Sequence, residues 1–192
     1  EIINTKGEEF SLFDEQFLND VANMKEKNLA IEMLKKLLAQ HIKKHQKKNL
    51  TQAELFSEML DKRLAEYLRG MISNEEVIKE LLEMAKLMKQ HAEEGNALGL
   101  SDEEQAFYDA LTRPRAVKDF YENNQLVAMA REITDALRKN RTLDWRQKET
   151  ARAKMRTMIK RLLKKYHYPP EEAQNAIEVV MRQCELWADN EE

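Results

Sequence analysis

A dense group of cationic side chains marks one stretch of this chain. Twelve Lys and Arg fall between Arg138 and Lys165, opposed only by Asp144 and Glu149, although the whole chain carries a formal net charge of −3. Long cationic side chains can bind phosphates, and a basic patch on an acidic protein indicates an anionic partner. The candidates for DNA or phosphate contact are Arg138, Lys139, Arg141, Arg146, Lys148, Arg152, Lys154, Arg156, Lys160, Arg161, Lys164 and Lys165.

The same stretch has the apolar spacing of an amphipathic helix. With about 100° of rotation per residue, the spacing predicts one apolar stripe, made of Ala151, Met155, Met158, Ile159, Leu162 and Tyr166. The cations spread over the remaining arc. Three interpretations stay open: a solvated face that complements acidic helices nearby, a surface for nucleic acid or another polyanion, and a membrane-surface helix. The last is disfavoured because the stripe lacks bulky exposed Trp or Phe.

Aromatic residues stand at both ends of this basic helix. Trp145 precedes it, and the sequence YHYPP (166–170) follows it. Rings beside cations can stack on a base or an adenine, so Trp145, Tyr166 and Tyr168 are candidate stacking residues. A nucleotide lodged at this corner is therefore one hypothesis. Core filling is the favoured interpretation, since aromatic rings at a helix–helix corner usually pack inside.

No other residues form a complete catalytic or metal-binding motif. His41 and His45 have the i, i+4 spacing of half a zinc site, but no third ligand is near and lysines crowd them. Cys184 falls on an apolar stripe without a His or Asn partner, which indicates a buried, inert thiol. Phosphate-binding glycine loops and protease motifs are absent from the sequence. We therefore assign no catalytic residue, no metal and no cofactor to this chain.

Composition favours an all-α protein. Only 4 Gly and 3 Pro occur in 192 residues, which leaves few tight turns and argues against a β-sandwich. No apolar run approaches the roughly 18 residues that a membrane span needs, so we expect no membrane partner. The single cysteine excludes an internal disulfide and suits a reducing compartment, so we expect a cytoplasmic protein.

Start and stop signals predict a multi-helix bundle of about eight helices. Capping boxes are predicted at Thr51–Glu54, Ser73–Glu76 and Ser101–Glu104, and helix ends at Gly70, Gly95, Gly99 and the pair Pro169-Pro170. Combined with the apolar periodicity, they predict helices at roughly 11–24, 27–47, 51–69, 74–94, 102–111, 115–139 (broken near Asn123), 145–166 and 170–188.

One domain boundary is predicted from charge. Residues 34–49 become steadily richer in lysine, and the pattern restarts at the Thr51 cap. We therefore predict a helical arm over residues 1–50 and a compact helical bundle over 51–192. The sequence begins with neither Met nor an apolar targeting segment, so we expect a part of a longer polypeptide, with the arm leading to upstream domains.

Four stretches carry a resemblance to a known family. They are KNLAIEMLKKLL (27–38), FSEML with EEVIKELLEMAKLM (56–60 and 75–88), LGLSDEEQAFYDAL (98–111) and TLDWRQKETARAKMRTMIKRLLKKYHYPPEEAQNA (142–176). In residue types and order they resemble the C-terminal helical region of the R (motor and restriction) subunit of type I restriction–modification enzymes. Residues 69–74 and 112–120 carry no part of this resemblance.

The resemblance implies a context for the basic helix. The R subunit of that family is an ATP-dependent translocase of double-stranded DNA and a type I site-specific deoxyribonuclease, for which ATP and Mg²⁺ are implied. It assembles onto a methyltransferase core of modification and specificity subunits. Its nuclease and motor motifs lie upstream of this region, so the resemblance implies no catalytic residue here.

For this region the resemblance implies an assembly role. It would dock the R subunit onto the methyltransferase core and contact DNA non-specifically through the basic helix. Two alternatives stay open. One is a pure protein–protein docking module without DNA contact, and the other is a helical domain that carries a regulatory nucleotide-binding site.

Overall fold

Helices form wherever apolar residues recur at helical spacing. The computed structural model describes residues 12, 14–113, 115–141, 145 and 147–188. Within these residues no strand occurs, and the helices are α1 Glu15–Ala22, α2 Lys27–His45, α3 Leu50–Leu68, α4 Asn74–Ala97, α5 Asp102–Thr112, α6 Arg115–Phe120, α7 Asn123–Asn140, α8 Glu149–Lys165 and α9 Pro170–Ala188. The predicted all-α bundle is confirmed, and the break predicted near Asn123 separates α6 from α7.

Two of the three predicted capping boxes form. Ser101 Oγ accepts from the Glu104 N–H at 3.2 Å, and Glu104 Oε2 accepts from the Ser101 N–H at 2.9 Å. The same reciprocal pair joins Ser73 and Glu76 at the start of α4. Each box satisfies two backbone donors that the first turn of a helix leaves unpaired.

The third predicted box is wrong because α3 begins earlier. Asn49 is the residue that caps it: its Oδ1 accepts from the Gln52 N–H at 3.1 Å. Thr51 consequently lies inside the first turn, where it is 3% exposed. Asn49 and Thr51 are both polar residues that can cap a helix, and the one that caps α3 is Asn49, which lies nearer the end of α2.

Gly95 does not end its helix as predicted, since α4 continues beyond it. A Cβ built at this position would lie 2.2 Å from Oε1 of Gln105 on α5. The glycine therefore provides room for a neighbouring side chain rather than a helix stop. The other two predicted stops are confirmed, because Gly70 and Gly99 adopt φ values of 71° and 67° just beyond α3 and α4.

The described helices form two compact units, each with its own core. The first unit consists of the described residues up to Lys44 and of residues 56–92. It contains α1 and most of α2, α3 and α4. Its buried apolar residues are Leu12, Val21, Ala30, Ile31, Leu34, Leu38, Phe56, Leu60, Val77, Ile78, Leu81, Met84, Ala85 and Met88. The contacts thus group most of the predicted arm with 56–92. Whether residues 1–50 form a separate arm stays a prediction.

The second unit contains residues 45–55 and the chain from 93 onward. Here α5 packs against α6, α7 and α9, and α8 packs against α7 and α9. Phe107, Leu126, Ile133, Ile159 and Val180 are each fully buried in its core. One side of α8 therefore faces the core while the other side is left to solvent. No helix in the described part of the chain is both long and apolar enough to cross a membrane.

Polar side chains hold residues 45–55 within the second unit. Gln183 on α9 is 2% exposed, and its Oε1 accepts from the Leu50 N–H at 2.6 Å. Its Nε2 donates to the Lys47 carbonyl at 3.0 Å. Glu54 is also held, by Arg182 at 2.8 Å. The start of α3 is thus fixed by hydrogen bonds as well as by burial of Leu50.

Candidate functional site

The basic helix α8 begins and ends by local rules. Glu149 lies in its first turn, and Lys164 and Lys165 lie in its last turn. The acidic residue thus lies at the positive end of the helix dipole and the basic residues at its negative end, which stabilises the helix. The end is a Schellman motif: the Tyr168 N–H donates to the Leu163 carbonyl at 2.9 Å, while His167 takes a φ of 56°. The predicted role of the prolines is corrected, because Pro170 begins α9 and the left-handed His167 ends α8.

The buried side of α8 differs slightly from the predicted stripe. Met155, Ile159 and Leu163 are its buried residues, and Leu163 was missing from the prediction. The remaining predicted members are partly buried against the same core: Ala151, Met158, Leu162 and Tyr166. The buried stripe is rotated toward Leu163 because α8 packs between α7 and α9, a neighbourhood that one helix's periodicity does not reveal.

Two arginines of α8 form ion pairs across to α9. Arg152 Nη2 lies 2.7 Å from Glu185 Oε1, and Arg156 Nε lies 3.6 Å from Glu178 Oε1. The side chains of both arginines are only about a third exposed, at 31% and 35%. These two candidates therefore lie on the flank of α8 that meets α9, where internal carboxylates already balance their charge.

The C-terminal end of α8 is tied to α7 through Glu132. Lys165 Nζ donates to Glu132 Oε1 at 2.7 Å, and the Tyr166 hydroxyl donates to Glu132 Oε2 at 2.5 Å. The hydrogen bond from Lys165, followed by that from Tyr166, lowers the pKa of Glu132 below its ordinary value. The same carboxylate raises the pKa of Tyr166 to about 12. Lys165 is thus engaged within the fold, like Arg152.

The outward side of α8 carries a second kind of cation. Lys154, Lys160, Arg161 and Lys164 are all exposed, and none forms an ion pair with another described residue. We call these four residues the outer cation face. They span eleven residues of one helix, a rise of about 15 Å along its axis. An uncompensated row of cations of this kind is what a polyanion can neutralise.

The other predicted cations lie along the approach to α8. Arg138, at the end of α7, pairs with Glu103 at 2.7 Å. Lys139, Arg141 and Lys148 are exposed. Arg146 lies outside the described residues, so nothing is said of its position. Of the twelve candidates, the structure therefore brings four together on one uncompensated surface and balances four others with internal carboxylates, namely Arg138, Arg152, Arg156 and Lys165.

The three candidate stacking rings belong mainly to the core. Trp145 is 2% exposed and Tyr168 is 4% exposed, and the Tyr168 hydroxyl donates to the Leu111 carbonyl at 2.8 Å. Tyr166 is half-buried, and the Tyr121 hydroxyl donates to its carbonyl at 2.8 Å. Trp145 and Tyr168 fill space inside the second unit. This placement agrees with the core-filling interpretation of the two rings.

A groove that sequence reasoning missed opens beside the outer cation face. It has a volume of about 840 Å³ and is lined by Asn140, Thr150, Ala151, Lys154, Met155, Thr157, Met158, Arg161 and Leu162. Its floor consists of the partly buried side of α8, and Asn140 at the end of α7 also lines it. The apolar stripe of α8 is broader than the part that the core covers, and the uncovered part forms the groove floor. The width of that stripe is the one feature of the sequence that indicates the groove.

Cys184 is not placed for nucleophilic chemistry. Cys184 is 4% exposed, and burial raises the pKa of its thiol to about 12, which keeps it protonated and inert. The prediction of a buried thiol is confirmed. Among the described residues, no three His, Cys, Asp or Glu side chains approach each other closely enough to hold a metal ion.

Comparison with known proteins identifies relatives over nearly the whole chain. Residues 1–190 match the family described as type I restriction enzyme HindI endonuclease subunit-like, C-terminal. The chain is 36% identical over 182 residues to the type I restriction enzyme HindI endonuclease subunit of Haemophilus influenzae, a match that covers 95% of the chain and 17% of that protein.

A second relative comes from an archaeon. The chain is 30% identical over 166 residues to a protein of Methanocaldococcus jannaschii assigned as the MjaIXP endonuclease subunit of a type I restriction enzyme, covering 86% of the chain and 16% of that protein. The chain thus spans about a sixth of the length of both relatives. No solved structure matches it significantly.

Proposed function

This chain belongs to the family of HindI-like type I restriction enzyme endonuclease subunits, in its C-terminal part, and on that premise we propose an assembly role. The chain docks the ATP-dependent translocase and endonuclease subunit onto the methyltransferase core, made of modification and specificity subunits. It also holds duplex DNA without sequence preference through the outer cation face. In this proposal ATP, Mg²⁺ and the catalytic steps belong to other parts of the enzyme.

The outer cation face is the observation that supports DNA contact. Lys154, Lys160, Arg161 and Lys164 are exposed and free of ion pairs with described residues. Flexible cations on a helix surface suit the phosphate backbone, which presents one charge per strand about every 3.4 Å of duplex axis. Three of the four are lysines, whose ammonium groups lack a planar donor array for reading base edges. Contacts of this type position a protein on DNA and leave sequence recognition to other elements.

The balanced arginines also fit this proposal. Arg152 and Arg156 direct their charge at α9 carboxylates, so they orient α8 rather than compete for phosphates. The fold thus uses part of the basic helix to fix its own position. The outer part is left uncompensated, and an uncompensated cation gains more from a phosphate than one that must first give up a carboxylate.

Charge reversal of the outer cation face tests this proposal. The quadruple variant Lys154→Glu, Lys160→Glu, Arg161→Glu and Lys164→Glu is compared with Lys36→Glu, Lys43→Glu, Lys47→Glu and Lys48→Glu, which changes four exposed lysines elsewhere. Binding of each purified chain to duplex DNA and to the methyltransferase core is measured separately. We expect DNA binding to be lost in the first variant and retained in the second.

Two other outcomes would replace the proposal. Wild-type chain that binds the core but ignores DNA, with binding abolished by the reversal, would establish a pure protein-docking face. Binding of ATP with protection against thermal unfolding would favour a regulatory nucleotide site. A wild-type chain that binds neither the core nor DNA would contradict the assembly role altogether.

A further inference from the structure

The apolar floor of the groove between the end of α7 and α8 takes no part in the DNA contact proposed above, although Lys154 and Arg161, which also line the groove, belong to the outer cation face. We propose that this groove seats an acidic amphipathic helix of the methyltransferase core. The inference rests on the proposed docking role and adds a place and a partner chemistry to it. Its two supports are the pattern of apolar residues along the groove floor and the position of the cations on one rim.

The floor has the length and spacing of a helix-binding strip. Ala151, Met155, Met158 and Leu162 line the groove at successive intervals of four, three and four residues along α8. This spacing gives one continuous apolar line of about 16 Å. A partner helix laid along such a line contacts it through residues at i, i+3 or i+4, and i+7.

Methionine gives this floor an adaptable shape. Met155 is 2% exposed, whereas Met158 and Leu162 are only partly buried against the core. The Asn140 amide donates to Met158 Sδ at 3.2 Å and to the Ala136 carbonyl at 2.8 Å. Asn140 therefore contacts the groove floor at Met158, and the unbranched thioether of methionine lets this floor fit different apolar surfaces.

The cations on the groove rim indicate that the partner is acidic. Lys154 and Arg161 line the groove, are exposed, and have no ion-pair partner among the described residues. They are seven residues apart, or about 10 Å along the axis. Carboxylates two turns apart on one flank of a partner helix would face them. The matching partner is thus apolar on one face and acidic beside it.

A nucleotide fits the same groove less well. No aromatic ring lines it, so a base would find no stacking partner. The two rim cations stand too far apart to grip one phosphate group together. The lining residues from Lys154 onward lie inside the helix, and the Ala151 N–H donates to the Lys148 carbonyl at 3.0 Å, so few backbone donors remain for a phosphate. The apolar floor is consequently better matched by protein side chains.

Truncation and filling of the groove test the inference by complementary means. Met158→Ala with Leu162→Ala removes the floor contacts, and Ala151→Phe fills the groove while leaving the buried residues of α8, Met155, Ile159 and Leu163, unchanged. We expect each to weaken binding of the methyltransferase core at least tenfold, as truncation of buried interface anchors does. Duplex DNA binding should stay within about twofold, because the outer cation face is unchanged.

Leu68→Ala with Met71→Ala serves as the matched control. It removes the same two residue types from the last residue of α3 and the turn that follows it, where they are 81% and 67% exposed. This variant should bind the core as the wild type does. If the groove variants also bind normally while the wild type binds the core, the groove assignment is wrong and the docking role stands. If the wild type binds no core, both fail.

Cross-linking identifies the occupant directly. Leu162→p-benzoylphenylalanine is irradiated in the assembled complex, and the linked peptide is identified by mass spectrometry. We expect a segment of a modification or specificity subunit with apolar residues at helical spacing and flanking carboxylates. Cross-links to DNA alone, to a basic segment or to no partner in a formed complex would overturn the inference. So would competition of core binding by ATP.

Discussion

Arg152 on α8 and Glu185 on α9 face each other with 2.7 Å between Nη2 and Oε1, whereas Lys160 on the same helix faces solvent. The pair converts part of the basic charge into an internal contact between neighbouring helices. One sequence pattern therefore contains two kinds of cation. Cations that fix the helix in the fold alternate with cations that are available to a partner.

Substitutions at these two positions should separate stability from DNA binding. Arg152→Gln should lower the free energy of unfolding by about 1 kcal/mol, because Glu185 loses its ion pair in a partly buried site. Lys160→Gln should leave stability unchanged and weaken duplex binding. Urea denaturation and fluorescence anisotropy measure the two effects. Equal losses of DNA binding in both variants would contradict the assignment of Arg152 to stability and of Lys160 to DNA contact.

Removal of the Gln183 side chain should loosen the start of α3. Gln183→Leu leaves the Leu50 N–H and the Lys47 carbonyl without the partners they have now. The Leu50 N–H is buried, whereas the Lys47 carbonyl belongs to an exposed residue that water can reach. One buried unsatisfied group costs about 1–3 kcal/mol, so we expect a loss of that size. Hydrogen exchange at the Leu50 amide should accelerate. An unchanged exchange rate would show that burial alone protects this turn.

Acid should weaken the link between α7 and α8 through Glu132. Since hydrogen bonds from Lys165 and then Tyr166 lower the pKa of this carboxyl, its contribution to stability is present above the ordinary glutamate pKa. That contribution is lost as the pH falls through the lowered pKa of the folded state. Glu132→Gln should therefore destabilise the chain at neutral pH, and its effect should disappear as the pH falls below the ordinary glutamate pKa and through the lowered pKa of the folded state.

Denaturation at a series of pH values measures the Glu132 effect. The control is Glu26→Gln, since Glu26 is exposed and forms no ion pair with a described residue. This variant should show no difference from the wild type at either end of the range. A Glu132→Gln deficit that persisted undiminished in acid would rule out the carboxylate as its source.

His167→Gly should stabilise the corner after α8. His167 holds a φ of 56°, a left-handed conformation that costs a residue with a Cβ roughly 1–2 kcal/mol. Glycine adopts it freely but loses more chain entropy on folding, about 0.5–1 kcal/mol. The net expectation is a gain of up to about 1 kcal/mol, measured as a higher melting temperature. A loss of stability would mean that the His167 side chain contributes contacts of its own.

The helices and the basic face were predictable because they depend on local pattern. The capping boxes at Ser73 and Ser101 and the left-handed glycines at 70 and 99 obey rules that act within a few residues. The charge of α8 is equally local. These features require no knowledge of which helices become neighbours.

The use of each cation was not predictable in the same way. Whether Arg152 meets a carboxylate or solvent depends on which helix packs beside α8, and that is decided by tertiary contacts. Glu178 and Glu185, seven residues apart on α9, were the available signal for this pairing. Leu163 was missed for the same reason, since the buried stripe is defined by two flanking helices rather than by one period. The rotation of the buried stripe toward Leu163 leaves Ala151, Met158 and Leu162 only partly covered, and these residues line the groove.

The salt dependence of DNA binding tests the central claim most directly. Affinity of the wild-type chain for a duplex is measured between about 50 and 200 mM salt, where each phosphate contact contributes about −0.9 to the slope of log affinity against log salt. Neutralising Lys154, Lys160, Arg161 and Lys164 to Gln should flatten that slope by roughly 3 to 4 units. Neutralising Lys36, Lys43, Lys47 and Lys48 should leave it unchanged. An equal slope in the wild type and the first variant would contradict the account.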